Sequence, residues 1–366
     1  MIKSLLIANR GEIACRIIRT AKAMGVRTIA VYSEADANAL HAEMASEAVC
    51  IGPAAAKDSY LNIDNIIAAA HKMGADAIHP GYGFLSENAE FAARCLKEAI
   101  TFIGPSAEAI QLMGNKAEAK RRMIEAKVPC VPGYEGEDQS ESRFITAADE
   151  IGFPVMVKAA AGGGGRGMRL VDSPEKLPKA LSTAKSEALN AFGSDQLILE
   201  KAVIEPRHIE IQIFADSMGN TVHLGERDCS IQRRHQKVIE EAPSPAVDQR
   251  LRTEMGSAAV AAATAIEYCG AGTVEFLLSP NGEFYFLEMN TRIQVEHPIT
   301  EEVTGVDLMA NMMKSAFSEE LDFHSQDEIV LRGHSIECRI CAEDPATFAP
   351  SPGIIRRCRN PQGPFI

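Results

Sequence analysis

The 366 residues, 46% hydrophobic and 24% charged, make an ordinary globular chain long enough for two or three cored domains. The net charge of −13 has the wrong sign for a protein that lives on nucleic acid, so a phosphate ligand must be met by locally placed cations. The longest apolar run, residues 258–266, is too short to cross a bilayer; the N-terminus reads as a first strand, and nine scattered cysteines read as reduced thiols of a cytoplasmic protein.

The first third alternates strand and helix. Strand 3–8 leads into helix 12–24, closed by Gly25, and strand 28–32 follows. Helix 61–73, ended by Gly74, feeds strand 75–79, and helix 87–99 leads into the strand-like ITFIG. Alternation at these lengths predicts a parallel, doubly wound sheet. Asn115, with Glu118 three residues on, has the pattern of a capping box that opens a connecting helix. A small unit follows: strand 153–159, a glycine-rich loop, strand 168–171, helix 180–189 and strand 196–203. RHIEIQIFAD then alternates strictly, Ile209, Ile211 and Ile213 on one face, His208, Glu210 and Gln212 on the other. Such a strand is expected to be buried on one side and to present polar groups on the other. Cys338 and Cys341 form a C-x-x-C spacing; on a strand it turns the thiols to opposite faces, so neither a redox pair nor a metal knuckle is expected. GIIRRCR, near the C-terminus, is strand-like.

The loop KAAAGGGGRGMRLV, from Lys158 to Val171, contains a literal G-x-G-x-x-G at Gly162, Gly164 and Gly167. A dinucleotide fingerprint needs a helix after the glycines; here a β-prone segment follows. No Gly-Lys-Ser/Thr closes the run as a P-loop would. A glycine hairpin lying over phosphates, with Lys158 as the cation, remains, beside the plainer reading of a slack exposed hairpin.

Further on, Asn281-Gly282 is a strong two-residue hairpin signal. Such a turn pairs Pro280 with Glu283 and, counting back along both strands, Glu275 with Glu288, with Asn290 on the face of Glu288. Opposed carboxylates destabilise a sheet unless something neutralises them, and Mg²⁺ is a natural counter-ion; two solvated glutamates are the alternative. Arg292, Gln294, Glu296 and His297, with Arg233, Arg234, His235 and Lys237 upstream, make either a small-anion pocket or a solvated cationic face.

The segments ANRGEIACRI, HPGYGFLSEN, FIGP, GNKAEAK, KAAAGGGGRGM, PRHIEIQ, GERDCSIQRRHQK, EMNTRIQVEHPITE and ECRICAEDP together resemble the biotin carboxylase family of ATP-grasp enzymes, over the whole chain. The resemblance implies an α/β and α+β architecture. A doubly wound parallel pre-ATP-grasp domain covers 1–113, a helical connector 114–131, a mobile lid 132–203, and a mostly antiparallel ATP-grasp C-terminal domain 204–366. It implies ATP, Mg²⁺ or Mn²⁺, bicarbonate, and carrier-bound biotin as substrate. By position, Lys116 and Lys158 would hold ATP phosphates under Gly164 and Gly165. Glu200, Lys201, Ala202 and Val203 would meet adenine, with His208 and His235 nearby. Glu275, Glu288 and Asn290 would hold the metal. Lys237, Arg292, Gln294 and Val295 would bind bicarbonate, Glu296 would be the base, Arg339 would stabilise the biotin enolate oxygen, and Tyr82 would line the biotin pocket. A biotin carboxyl carrier and a carboxyltransferase would be the partners of a cytoplasmic homodimer, with no nucleic acid or membrane partner.

Two departures stand out. Ala161 occupies a position where the family loop often has glycine, and the family's C-terminal domain runs on past residue 366, so an incomplete chain is expected. Met313-Lys314-Ser315 is not a biotinyl-lysine motif. Another ATP-grasp carboxylate-activating ligase and a non-catalytic nucleotide-binding or assembly fragment are the alternatives.

Overall fold

The computed structural model describes residues 2–161, 168–234, 236–351, 353–354, 356–357, 359 and 361–363. The N-terminal unit runs β1 (Ser4–Ile7), α1 (Gly11–Ala23), β2 (Arg27–Tyr32), α2 (Leu40–Met44), β3 (Glu47–Cys50), α3 (Ile63–Met73), β4 (Ala77–His79), α4 (Ala89–Lys97) and β5 (Thr101–Phe102). Its five strands are all parallel in the order β3-β2-β1-β4-β5, the doubly wound arrangement the alternation predicts. Asn62 and Asn88 start α3 and α4 by accepting the N–H groups of Asn65 and Phe91, and Gly74, at φ 59°, closes α3 in the left-handed region. The pattern did not reveal α2 or β3: β3 is a short, mostly exposed strand at the sheet edge, and nothing in its residues alternates.

Helices α5 (Ala107–Gly114) and α6 (Lys116–Glu125) connect to the next unit. Asn115 Oδ1 accepts from the N–H groups of Ala117 and Glu118, so the cap expected at Asn115 forms. The small unit holds β6 (Gly133–Tyr134), α7 (Glu141–Ile151), β7 (Val155–Ala159), β8 (Arg169–Val171), α8 (Leu177–Phe192) and β9 (Leu197–Lys201), with an antiparallel sheet ordered β6-β9-β7-β8. β7 and β8 pair Val155 with Val171, so strands flank the glycine loop. Gly164 and Gly165 themselves, with Gly162 and Gly167, lie outside the described residues, as does His235.

The last unit contains β10 (Arg207–Ala215), β11 (Thr221–Arg233), β12 (Gln236–Ala242), α9 (Gln249–Thr264), β13 (Gly270–Leu278), β14 (Phe284–Asn290), α10 (His297–Thr304), α11 (Leu308–Ala316) and β15 (Ser335–Cys338). Its six strands are antiparallel throughout, in the order β14-β13-β10-β11-β12-β15. Ile209, Ile211 and Ile213 pack against Met255 and Ala259 of α9. The opposite face of β10 presents its polar groups to other parts of the chain: Glu210 and Gln212 are fully buried, because α10 covers that side and Thr300 joins their hydrogen-bond network. A second core cluster joins Ile13, Ile17 and Ile18 of α1 to Phe214, Met309 and Met313, which locks the N-terminal unit to the large sheet. β15 ends at Cys338, so Cys341 lies beyond the strand and the opposite-face argument does not reach it; both thiols are exposed and free. Among the described residues of 353–359 there is no strand.

Candidate active site

The hairpin that carries the paired carboxylates is built differently from the expectation, with the same outcome. Ser279 N–H donates to the Glu283 carbonyl at 2.8 Å and Gly282 N–H to the Ser279 carbonyl at 3.0 Å, so the loop has three residues, not two. Gly282 at φ +86° supplies the left-handed position this longer turn requires. Leu278 therefore faces Phe284 and Phe276 faces Phe286, one residue out of the expected register, until a bulge between Phe276 and Glu275 leaves Leu287 unpaired. Beyond it Glu275 faces Glu288 and Thr273 faces Asn290. The two departures cancel.

The pair is part of a longer row. Glu275 also faces Glu210 on β10, and Glu210 faces Arg227 on β11, so three carboxylates and a guanidinium line up across four strands on one sheet face. Fully buried Arg227 donates to Glu210 at 2.6 Å, Gln212 and Thr300 at 2.8 Å and Thr273 at 3.2 Å, the use of a planar fork that lysine could not reproduce. Lys237 reaches into the row from β12. Its Nζ binds Glu210, lies 2.9 Å from Glu275 and 2.7 Å from Glu296. Burial alone would depress the Lys237 ammonium, but these three carboxylates outweigh it and hold its pKa well above the lysine value. His208 Nε2 lies 2.7 Å from Glu275 Oε2; burial opposes its charge, the Glu275 carboxylate overcomes that, and the imidazole pKa is raised.

Glu296 sits at the start of α10, fully buried. One oxygen accepts from Lys237 and the other from Arg339 Nη2 at 2.9 Å, while Arg339 Nε binds Glu240 at 2.6 Å. Arg292 is fixed by Glu87 at 2.7 Å, by Gln294 Oε1 at 2.8 Å and by Asn290 Oδ1 at 3.1 Å. Gln294 in turn donates to Glu275 at 3.0 Å, and partly buried Val295 stands beside it before Glu296. The structure thus brings Lys237, Arg292, Gln294, Val295, Glu296 and Arg339 together with His208, Glu275, Glu288 and Asn290. Tyr82 stands apart on the loop after β4, its carbonyl held by Asn9 at 2.8 Å; none of the contacts among the described residues joins it to Arg339.

Beside β14 lies a cavity lined by Lys116, Lys120, Lys158, Glu200, the bulged Leu287 and Glu288 itself. Here the expected phosphate lysines are paired with acids: Lys116 lies 3.0 Å from Glu288, and Lys158 binds Glu200. Glu200 also accepts from Lys120 at 2.8 Å. Burial would raise Glu200, but Lys158 and Lys120 pull its pKa down to about 2. The N–H groups of Lys201 and Ala202 are taken by the carbonyls of Pro132 and Pro154, so these two donors are already used; Val203, partly buried, follows directly.

Whether a divalent cation fits can be judged from the donors. Glu275 and Glu288 offer hard oxygens from facing positions, as Mg²⁺ requires, and Glu275 needs counter-charge, which Lys237 and His208 supply here. Asn290 points its oxygen at Arg292 and donates its nitrogen to Glu275 at 2.8 Å; turning the amide would offer its oxygen as a third ligand. The residues fit the ion.

Sequence reasoning missed Glu87, Lys120, Glu210, Arg227 and Glu240 as parts of the site. Only Glu210 carried a signal, its place on the polar side of an alternating strand; a buried charge reads in sequence like a solvated one.

Comparison with known proteins agrees over the whole chain. Residues 1–110 match the biotin carboxylase N-terminal domain, and residues 115–324 match the ATP-binding domain of the carbamoyl-phosphate synthase L chain. A biotin carboxylase of Nostoc sp. is 60% identical over 99% of this chain and 81% of its own length. The mitochondrial methylcrotonoyl-CoA carboxylase subunit alpha of Dictyostelium discoideum is 55% identical over 98% of this chain and 52% of its own. The crystal structure of a Campylobacter jejuni biotin carboxylase–ATP complex superimposes with a TM-score of 0.96 at 54% identity, covering 99% of this chain and 81% of that one. The biotin carboxylase domain dimer of Hydrogenobacter thermophilus 2-oxoglutarate carboxylase, solved with MgADP, ADP and bicarbonate, gives 0.94 at 50% identity, covering 99% and 80%.

Proposed function

We propose that this chain, which belongs to the biotin carboxylase family, uses the charged row across β14, β13, β10 and β11 as its reaction centre. The activity is the ATP- and bicarbonate-dependent carboxylation of carrier-bound biotin, that of an ATP-dependent ligase. The assignment of residues rests on Glu296, a fully buried carboxylate held between Lys237 at 2.7 Å and Arg339 at 2.9 Å, with Lys237 also touching Glu275.

Bicarbonate is a poor nucleophile toward ATP. Lys237, Arg292, Gln294 and Val295 hold it beside Glu296, which removes its proton as the oxygen attacks the γ-phosphorus. Lys116 and Lys158, released from Glu288 and Glu200, take the growing phosphate charge; His208 and His235 border the nucleotide, whose adenine lies against residues 200–203. Glu275, Glu288 and Asn290 would hold Mg²⁺, which would supply further neutralisation of the phosphates. Carboxyphosphate then breaks to CO₂ and phosphate. That phosphate accepts the N1′ proton of biotin, N1′ bonds to CO₂, and Arg339 stabilises the ureido oxygen while Tyr82 borders the ring. Gly164 and Gly165 close the lid and exclude water from the labile intermediate.

The domain division at 113, 131 and 203 is supported by a separate sheet in each of the three larger parts. Biotin carboxylases work with a carboxyl carrier and a carboxyltransferase and form dimers; a homodimer and these partners are the reading for this chain too. No helix among the described residues is long and apolar enough to cross a membrane, and the cytoplasm is the compartment we assign. E296Q removes a base without removing a phosphate ligand. ATP affinity should stay within about twofold while bicarbonate-dependent turnover falls by about 100-fold or more; unchanged turnover would remove Glu296 from its role.

A further inference from the structure

The Arg339 guanidinium is outnumbered by acids. Glu240 holds its Nε and Glu296 its Nη2, and Glu12 of α1 lies within range of its charge. Strands β12 and β15 place Glu337 directly opposite Glu240, so the two carboxyls project from one face. Glu240 is fully buried and Glu337 partly so. One oxygen of each, Glu240 Oε2 and Glu337 Oε2, is buried with no hydrogen-bond partner among the described residues. Two ionised carboxylates cannot face each other across a ladder with both those oxygens unmet. A single proton converts one into a donor and leaves the other an acceptor.

The groups facing Glu337 agree. They are Glu240 from β12, Glu296 from the start of α10, Arg227 from β11 and Arg339 just past its own strand. Burial, then the negative charges of Glu240 and Glu296, push Glu337 up to about 8. Burial raises Glu240 as well, against the pull of Arg339.

We propose that Glu240 and Glu337 share one proton at neutral pH and that this carboxyl pair positions Arg339 for its work at the biotin ureido oxygen. The positioning role rests on the reading of Arg339 given above; the shared proton does not. With one proton the pair carries a single negative charge, which anchors Nε and leaves Nη2 to Glu296. When Glu296 takes the proton of bicarbonate its hold on Nη2 weakens, and that edge of the guanidinium turns to substrate while Nε stays fixed. A fully ionised pair would draw the guanidinium toward β12 and β15 and push the edge strand β15 away.

Infrared spectroscopy and a pH profile test this together. The unaltered chain at pH 7 should show a protonated-carboxyl C=O band that is absent in E337Q and in E240Q and titrates away near pH 8. Biotin-dependent turnover should fall over the same range. E337Q keeps a neutral group there at all pH values, so the ratio of its turnover to that of the unaltered chain should rise about tenfold between pH 7 and pH 9. Bicarbonate-dependent ATP hydrolysis without biotin should show no such rise. Absence of the band overturns the shared proton, and a flat ratio with the band present overturns the positioning role. The band needs no activity, and E296Q tests the base separately, so a failure of the site assignment is read apart from a failure of the pair.

Discussion

Glu200 shows how much one side chain can hold at this site. It neutralises Lys120 and Lys158 at once, and these two lysines pull its pKa down to about 2 against the cost of burial. A carboxyl depressed in the fold adds stability at pH values above its unfolded pKa of about 4.5, and that stability is lost as pH falls toward 2. E200Q leaves the buried Lys158 ammonium without its carboxylate and Lys120 with only Glu135 at 3.8 Å, and should cost about 3–5 kcal/mol at pH 7. In denaturant titrations the gap to the unaltered chain should close between pH 4.5 and pH 2; a gap that holds constant with pH would contradict the ion pair. Glu275 and Glu288 were legible as a facing pair because the hairpin spacing alone set them opposite. Lys237 and Glu296 stood in stretches that read equally as an anion pocket or a solvated face, and only the family resemblance gave them roles. Arg227 and Lys120 were not legible: what distinguishes them is a buried carboxylate on another element, Glu210 for one and Glu200 for the other, and nothing local to either announces it.

At the scale of elements, the β13–β14 hairpin is the most informative piece. A three-residue loop and a bulge at Leu287 offset each other, so Glu288 keeps its place in the charged row while it and Leu287 both line the cavity. Deleting Leu287 therefore should not separate the carboxylates: the ladder becomes regular and Glu275 still faces Glu288. Calorimetry should find ATP binding still Mg²⁺-dependent, weakened by about tenfold through loss of one apolar wall. Loss of Mg²⁺ dependence would contradict this register. The turn signal at Asn281-Gly282 was readable, since glycine is needed for the positive φ; the turn length was not, because the same dipeptide serves two- and three-residue loops. The alternation of β10 gave its faces correctly, yet their burial depended on α10, which arrives about 90 residues later. Helices α3 and α6 were visible from the punctuation of Gly74 and Asn115, whereas α2 and β3 carry neither a side-chain cap bond nor a periodic pattern.

For the molecule as a whole, the units built on three sheets converge on the proposed reaction centre. The N-terminal unit contributes Glu87, which fixes Arg292, and the α1 face that packs on α11. The small unit contributes Lys158 and Glu200, and the six-stranded sheet contributes the charged row. This division of labour explains why the alternating first third could be read from sequence while its place in the site could not: Glu87 looks like any helix-start acid until Arg292 stands 2.7 Å away. Together these parts make an ATP-dependent enzyme that moves CO₂ from bicarbonate to biotin. Carbon-labelled bicarbonate, ATP, Mg²⁺ and free biotin test it most directly. Label should enter biotin only when all components are present, with ADP formed, and E296Q should abolish the transfer. Tight ATP binding with no bicarbonate-dependent transfer of label would contradict the account and favour a nucleotide-binding module.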